Sequence, residues 1–400
     1  MRVLMFTWEY PPRIIGGIAP HVYDLSNALA ELGTEVIVIT CDFPGAADRE
    51  RVGNIDIHRV DSYRSPTPDF ASWTFTMNSN LQRYAAELLA SGEKPEIIHA
   101  HDWLVAEAAI GLKHMFRIPM VATIHSTEYG RRDGIHTAYQ RMIHETEVWL
   151  TREAWRIICC SNYMASRVNT VLGTPRENIV TIPNGVDVGK FAQPFDKEAF
   201  RRKYAAPSEK LILYVGRMVH EKGPSVLVEA AYRVLRSIDA KFILVGDGYL
   251  KDPLARKVWS DGLGNKFHFT GFLDDPEVKL LYRTADVCVV PSLYEPFGIV
   301  CLEAMAAGTP VVVSDVGGLS EIIQHDRNGV TVYPGASNSL AWGILRVLTD
   351  KAFADRMALE ALKDVKDLYS WDAIARRTQE FYEDVLSEYL AGSWKPRLRD

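Results

Sequence analysis

Short runs of Val, Ile and Leu alternate, along almost the whole chain, with longer stretches in which apolar residues return every three or four positions. In the first half the short runs are residues 3–7, 35–40, 55–60, 96–101, 120–124, 156–160 and 179–182. The Val- and Ile-rich ones show no apolar/polar alternation, so they predict strands buried on both faces, as a parallel sheet requires. Between the first two, Ile18, Val22, Leu25, Leu29 and Leu32 step by four, three, four and three, which marks one face of a helix, and Gly33 supplies its stop. A second series of short runs follows at 211–215, 241–245, 266–270, 287–291, 311–314 and 330–333, with helical patterns between. Residues 187–204 lack apolar periodicity and carry a proline, which predicts a border there; residues 370–390 read as one long amphipathic helix.

Repeated β-α-β units of this kind predict an α/β protein of two Rossmann-like, doubly wound domains facing across a cleft. The expected division is residues 1–187, joined by a returning helix within 371–400, and residues 188–370. Ligands of such sheets bind beyond the carboxyl ends of the strands, so the loops at those ends are the places to look for chemistry.

Composition narrows the chemistry. The 400 residues carry 45 Lys and Arg against 51 Asp and Glu, a net charge of −6. That balance predicts no nucleic-acid partner and no anionic-membrane surface, which would need a basic excess. Five cysteines with no C-x-x-C pair predict buried, reduced thiols and a cytoplasmic protein. The opening apolar run is too short for a signal peptide, and no stretch is long enough to span a bilayer. There is no G-x-G-x-x-G, no phosphate-loop motif, no H-E-x-x-H and no G-x-S-x-G. No two aspartates stand two apart, so the Asp-x-Asp pair that holds a metal on a diphosphate in some sugar transferases is missing. No metal site and no cofactor are expected, and any diphosphate would be neutralised by side chains and helix ends.

Four constellations remain. In SerLeuTyrGluProPheGlyIleValCysLeuGlu, Glu295 and Glu303 stand with seven residues between them around Pro296 and Gly298. The turn presents the amides of Phe297, Gly298 and Ile299 at a helix start, and Glu303 is placed to accept both hydroxyls of a ribose. A solvated helix acid and a cap would be the ordinary explanation of either acid alone. In ValGlyArgMetValHisGluLysGly, Arg217 and Lys222 follow a strand end, where two fixed cations suit a departing diphosphate. In GluTyrProProArgIleIleGlyGly, the paired glycines Gly16 and Gly17 permit close backbone approach and leave free amides, or simply form a turn. Finally Asp102, beside His101, and His125 lie at strand ends, His99 is expected inside the sheet, Trp103 in the core, and Asn184 either caps a turn or meets a hexose hydroxyl.

Taken in order, GluTyrProPro…GlyGly, HisAspTrp, ThrIleHisSerThrGluTyrGly, ProAsnGlyValAsp, ValGlyArg…GluLysGly, ValGlyAspGly, GluProPheGly…Glu and SerAspValGlyGly resemble the retaining nucleotide-sugar glycosyltransferases of GT-B type, family 4, related to glycogen and starch synthases. The resemblance implies that Glu303 holds the donor ribose and Glu295 lies near the donor hexose. It makes Arg217 and Lys222 the diphosphate clamp and gives the Gly17 amide to the phosphate. His125 would stand beside the donor sugar, with Asp102 and Asn184 near the glucosyl unit. It also implies front-face transfer, in which a phosphate oxygen takes the acceptor's proton and no protein base is needed, unlike the two-carboxylate chemistry of glycosidases. Ile14 and Ile15 occupy the stretch where bacterial-type glycogen synthases carry a lysine, and Phe297 stands where many have cysteine, which leaves both ADP- and UDP-glucose open. The expected partners are a nucleoside-diphosphate sugar donor and a glucan or sugar acceptor; the oligomeric state is open. Elongation of an α-1,4-glucan is the leading expectation. Synthesis of sucrose phosphate, trehalose or maltose 1-phosphate, mannosyl transfer, a nucleotide-sugar epimerase and a silent glycan-binding protein are the alternatives.

Overall fold

The computed structural model describes residues 1–62 and 67–394, so the end of the expected returning segment, 395–400, lies outside the described residues. The chain forms two compact units, residues 1–185 with 371–400 and residues 186–370.

The first unit is built on eight strands: β1 (Arg2–Phe6), β2 (Glu35–Cys41), β3 (Arg49–Val52), β4 (Ile55–Val60), β5 (Ile97–His101), β6 (Met120–Ile124), β7 (Arg156–Cys159) and β8 (Ile179–Thr181). They lie in the order β3-β4-β2-β1-β5-β6-β7-β8. All pairs are parallel except β3 with β4. Seven of the eight are the apolar runs of the sequence. β3 has the sequence ArgGluArgVal, is exposed throughout and pairs antiparallel on the sheet edge; nothing in its composition marks it as a strand, and charge there protects an edge from pairing with other chains. Val3, Leu4, Met5 and Phe6 are fully buried, each such burial stabilising the fold by about 1.5–3 kcal/mol.

The second unit carries β9 (Lys210–Val215), β10 (Ala240–Val245), β11 (Phe267–Gly271), β12 (Val287–Val290), β13 (Val311–Ser314) and β14 (Val330–Val332) in the order β11-β10-β9-β12-β13-β14, every pair parallel. In both sheets the first strand of the unit sits in the interior, with β2 and β5 flanking β1 and β10 and β12 flanking β9. The connections therefore leave in opposite directions at β1 and at β9, and the loops after those strands and their partners gather at a topological switch point.

The segment expected to be a border is not a free linker. Residues 188–191 form a 3-10 turn and 197–201 a short helix. Phe191 and Phe200 are buried, and Arg201 binds the Thr284 carbonyl and the Asp286 carboxylate. Its few apolar residues anchor it individually, which periodicity could not reveal. The C-terminal helix, Trp371–Ala391, belongs to the first unit, where Ile374, Phe381, Tyr382 and Val385 join the core formed with the helix Ile18–Glu31 and the sheet. All five cysteines are buried, and none is in a disulfide.

Candidate active site

In the second unit the loops after β9 and β12 are tied together. The Tyr214 hydroxyl donates to the Arg217 carbonyl at 2.8 Å, and the amides of Leu293 and Tyr294 donate to the Glu221 carbonyl at 2.9 and 3.2 Å. Gly223, at φ +67°, is pressed so closely on Pro291 that a Cβ would lie 2.0 Å from its carbonyl oxygen; only glycine fits there. This stitching brings the two charged motifs face to face. Lys222 Nζ donates to Glu295 Oε2 at 2.8 Å, and the same oxygen accepts from Ser292 Oγ at 3.0 Å. Arg217 reaches Glu221 Oε1 at 3.2 Å. Its side chain is 54% exposed, so the pair contributes at most about 1 kcal/mol and is readily exchanged for another anion.

The turn after Glu295 is also held by close backbone approach. The Gly318 amide donates to the Glu295 carbonyl at 2.9 Å. Gly298 sits at φ +121°, where a Cβ would meet Leu319 at 2.6 Å. The helix Ile299–Ala306 starts there, and among the described residues no acceptor meets the amides of Phe297, Gly298 or Ile299. Unoccupied first-turn amides favour an anion or hydroxyl oxygens. Phe297 is buried against Tyr369. Glu303, one turn into the helix and half-buried, accepts from the Tyr282 hydroxyl at 2.8 Å. Burial pushes its carboxyl up to about 7, with the Tyr282 hydrogen bond offsetting part of that effect.

The first unit is organised differently. Glu9, fully buried, accepts from the amides of Ile15 (2.6 Å), Gly16 (2.9 Å) and Ala19 (3.3 Å) and so shapes the loop into the helix Ile18–Glu31. Desolvation raises its pKa, and the three amides work against that shift. The Gly16 amide, expected free, is consumed by this carboxylate, whereas the Gly17 amide meets no acceptor among the described residues. Arg13, the cation nearest the glycine pair along the chain, is buried and stacked over Trp8 and Trp73 at 5.4 and 5.7 Å.

At the ends of β5 and β6, Asp102 takes φ +62°, a strained conformation for a residue with a side chain. Its buried carboxylate accepts from the His125 amide at 2.8 Å. Burial raises its pKa to about 6 against the pull of Arg131 and the amides of His125 and Ser126. Asp102 is thus a positioning group for the His125 loop. The His125 carbonyl lies 4.0 Å from the Cys160 sulfur. Its ring Nε2 is 3.2 Å from His101 Nδ1, and His21 packs edge-on at 4.7 Å between centroids. His99 lies inside the sheet, as expected, bonded to Tyr382 and Thr123, both at 2.7 Å. Trp103 is likewise core, packed with Leu104 and Ile143. Asn184 is buried with its side chain within reach of the His21 ring. Gly185 follows because a Cβ there would meet Trp371 at 2.6 Å.

Sequence reasoning missed Glu9, Ser292, Glu221, Tyr282 and a buried cluster behind His125. In that cluster Glu147 Oε1 accepts from the Glu128 amide at 2.8 Å, and Arg131 binds both Glu128 and the Ser126 hydroxyl. Glu9 had a signal, an acid just ahead of a glycine pair and a helix start. Tyr282 had none, for it sits in a helix without a motif.

Two family models cover most of the chain, Glycosyltransferase Family 4 over residues 15–190 and Glycosyl transferases group 1 over residues 196–364. The chain is 40% identical over 387 residues to an uncharacterized glycosyltransferase of Methanocaldococcus jannaschii, covering 96% of this chain and 98% of the relative. It is a family 4 glycosyltransferase. It is also 36% identical over 399 residues to a glycogen synthase of Mycobacterium tuberculosis, covering 96% of this chain and 94% of the relative. Among solved structures, sucrose-phosphate synthase from Thermosynechococcus elongatus superposes with a TM-score of 0.85 at 25% identity, over 97% of this chain and 99% of that one. The two parallel-sheet units are those of GT-B enzymes. Among the described residues of this glycosyltransferase, no helix is long and apolar enough to cross a membrane.

Proposed function

We propose that this glycosyltransferase moves glucose, with retention of configuration, from ADP- or UDP-glucose to an α-1,4-glucan. The observation that carries the donor half is the Lys222–Glu295 pair at 2.8 Å, set in one unit with the Tyr282–Glu303 bond and the unoccupied amides of Phe297, Gly298 and Ile299. In this reading Glu303 accepts the ribose hydroxyls, and Arg217 and Lys222 exchange their carboxylate partners for the diphosphate. Charge then grows on the leaving group against groups already in place, so the cations and amides bind the transition state more strongly than the ground state. The acceptor hydroxyl bonds to C1 as the C1–diphosphate bond breaks on the same face, and a phosphate oxygen takes its proton. Gly17 is assigned to the phosphate, and His125, Asp102 and Asn184 to the sugar end, on the family resemblance. No cofactor or metal enters these steps, and a cytoplasmic location suits five cysteines without a disulfide.

The 36% identity to a glycogen synthase, spread across 96% of this chain, supports the glucan acceptor. The likeness to sucrose-phosphate synthase supports a second reading, a sugar-phosphate acceptor. A panel of ADP-, UDP- and GDP-sugars against glycogen, maltose and sugar phosphates, with product identification and a chelated control, separates them. Nucleoside diphosphate release with glycogen, undiminished by chelator, is expected. Activity with sugar phosphates alone would replace the first reading by the second; donor conversion without acceptor, or loss on chelation, would remove the mechanism.

A further inference from the structure

His21 leaves the first turn of the helix Ile18–Glu31, His101 ends β5 and His125 follows β6, yet the three imidazoles meet, with one ring nitrogen from each lying within 4.8 Å of the others. The His21 ring is buried with the Asn184 side chain beside it, and Nε2 of His101 is buried without a protein partner. Among the described residues no Lys or Arg is hydrogen-bonded to any of the three rings, and burial disfavours their charged forms.

We infer that His21, His101 and His125 form a binding site for an exchangeable zinc-class divalent ion. Zn–N distances of about 2.0–2.1 Å in a tetrahedron put ligand nitrogens about 3.3 Å apart. His101 Nδ1 and His125 Nε2, at 3.2 Å, already stand at that spacing, and the His21 ring needs to close by no more than about 1.5 Å. Three imidazoles leave a fourth position open, and imidazole selects zinc, cobalt, nickel and copper over magnesium or calcium. The site differs from a resident structural zinc centre in its outer shell. A bound histidine ordinarily donates its second N–H to an acceptor, a feature whose loss costs about 10–100-fold in affinity. The far nitrogen of His101 has no acceptor here, so the ion comes and goes. Occupancy would pin the His125 ring and slow transfer; that consequence rests on the proposed function, whereas binding does not.

The test uses the full-length protein and the metal alone. Cobalt(II) titration should give one tetrahedral, strongly coloured site per chain, bleached by zinc and lost in His21→Gln and His101→Gln, while His136→Gln leaves it intact. Zinc-edge absorption of the unmodified protein, which needs no variant to fold, should report three imidazole nitrogens near 2.0 Å. Absence of a stoichiometric tetrahedral site, or fewer than three imidazoles on the zinc, overturns the inference. Zinc bound in this way without slowing turnover upholds the site and removes the role assigned to the His125 ring.

Discussion

The loops of the two units meet polar ligands by opposite means. In the second unit, charge is kept partly solvated and paired with charge, Lys222 with Glu295 and Arg217 with Glu221. In the first unit, Glu9 and Asp102 are buried and committed to backbone amides, and burial disfavours the charged form of the His125 imidazole whose amide Asp102 holds. Paired, partly exposed cations can be handed to a diphosphate at small cost, since each ion pair is exchanged for another. Buried carboxylates bound by amides do no such thing; they hold a loop in one shape. One region is built to change partners and the other to keep them.

The largest effect that would sharpen this comparison is at Lys222. Lys222→Ala should lower kcat/KM for the nucleotide sugar by about 10²–10³-fold, the range for removing one preorganised donor to developing negative charge, with the melting temperature nearly unchanged. A loss of threefold or less would show that the cation is not part of the clamp.

Next comes Glu303. Its carboxyl titrates near 7 in the folded chain against an ordinary 4.5. The folded state therefore holds an extra proton between those values, and this group's contribution to stability declines as pH rises through that window. Nucleotide binding runs the other way, because an ionised carboxylate accepts two hydroxyls. Affinity measured by calorimetry should climb as pH passes upward through about 7, and Glu303→Gln should flatten that slope and weaken binding by about 10–100-fold. An affinity that falls over the same range would break the assignment.

The smallest effects contrast the two regions in unfolding free energy alone. Glu221→Gln should change stability by less than about 1 kcal/mol, whereas Glu9→Gln, which sets an amide group against buried N–H donors, should cost about 1.5 kcal/mol or more. Denaturant unfolding of both variants decides it, and equal costs would erase the distinction drawn here.

Thirteen of the fourteen strands were legible in the sequence because a strand buried on both faces must be apolar at every position, as Met120–Ile124 and Val287–Val290 are. β3 was not, because an exposed edge imposes no such demand. Among the site residues, Glu295, Glu303, Arg217 and Lys222 were legible because a strand end, a glycine turn and a helix start lie together in the chain, and local order alone places charge beside them. Their partners were harder to see. Ser292 and Glu221 lay within the motifs but nothing marked them out, while Tyr282 comes from a different helix with no signal of its own.

What the sequence by itself determined was therefore whatever depends on neighbours in the chain: which segments are strands, where their loops fall, and which loops carry charge. The tertiary structure alone decided which of those groups is free. It gave the Gly16 amide to Glu9, turned Asp102 toward the His125 backbone, closed Lys222 on Glu295 and drew His21, His101 and His125 together. The physical reason is that hydrogen-bond satisfaction and desolvation act through space, between residues whose separation in the chain carries no trace of their contact.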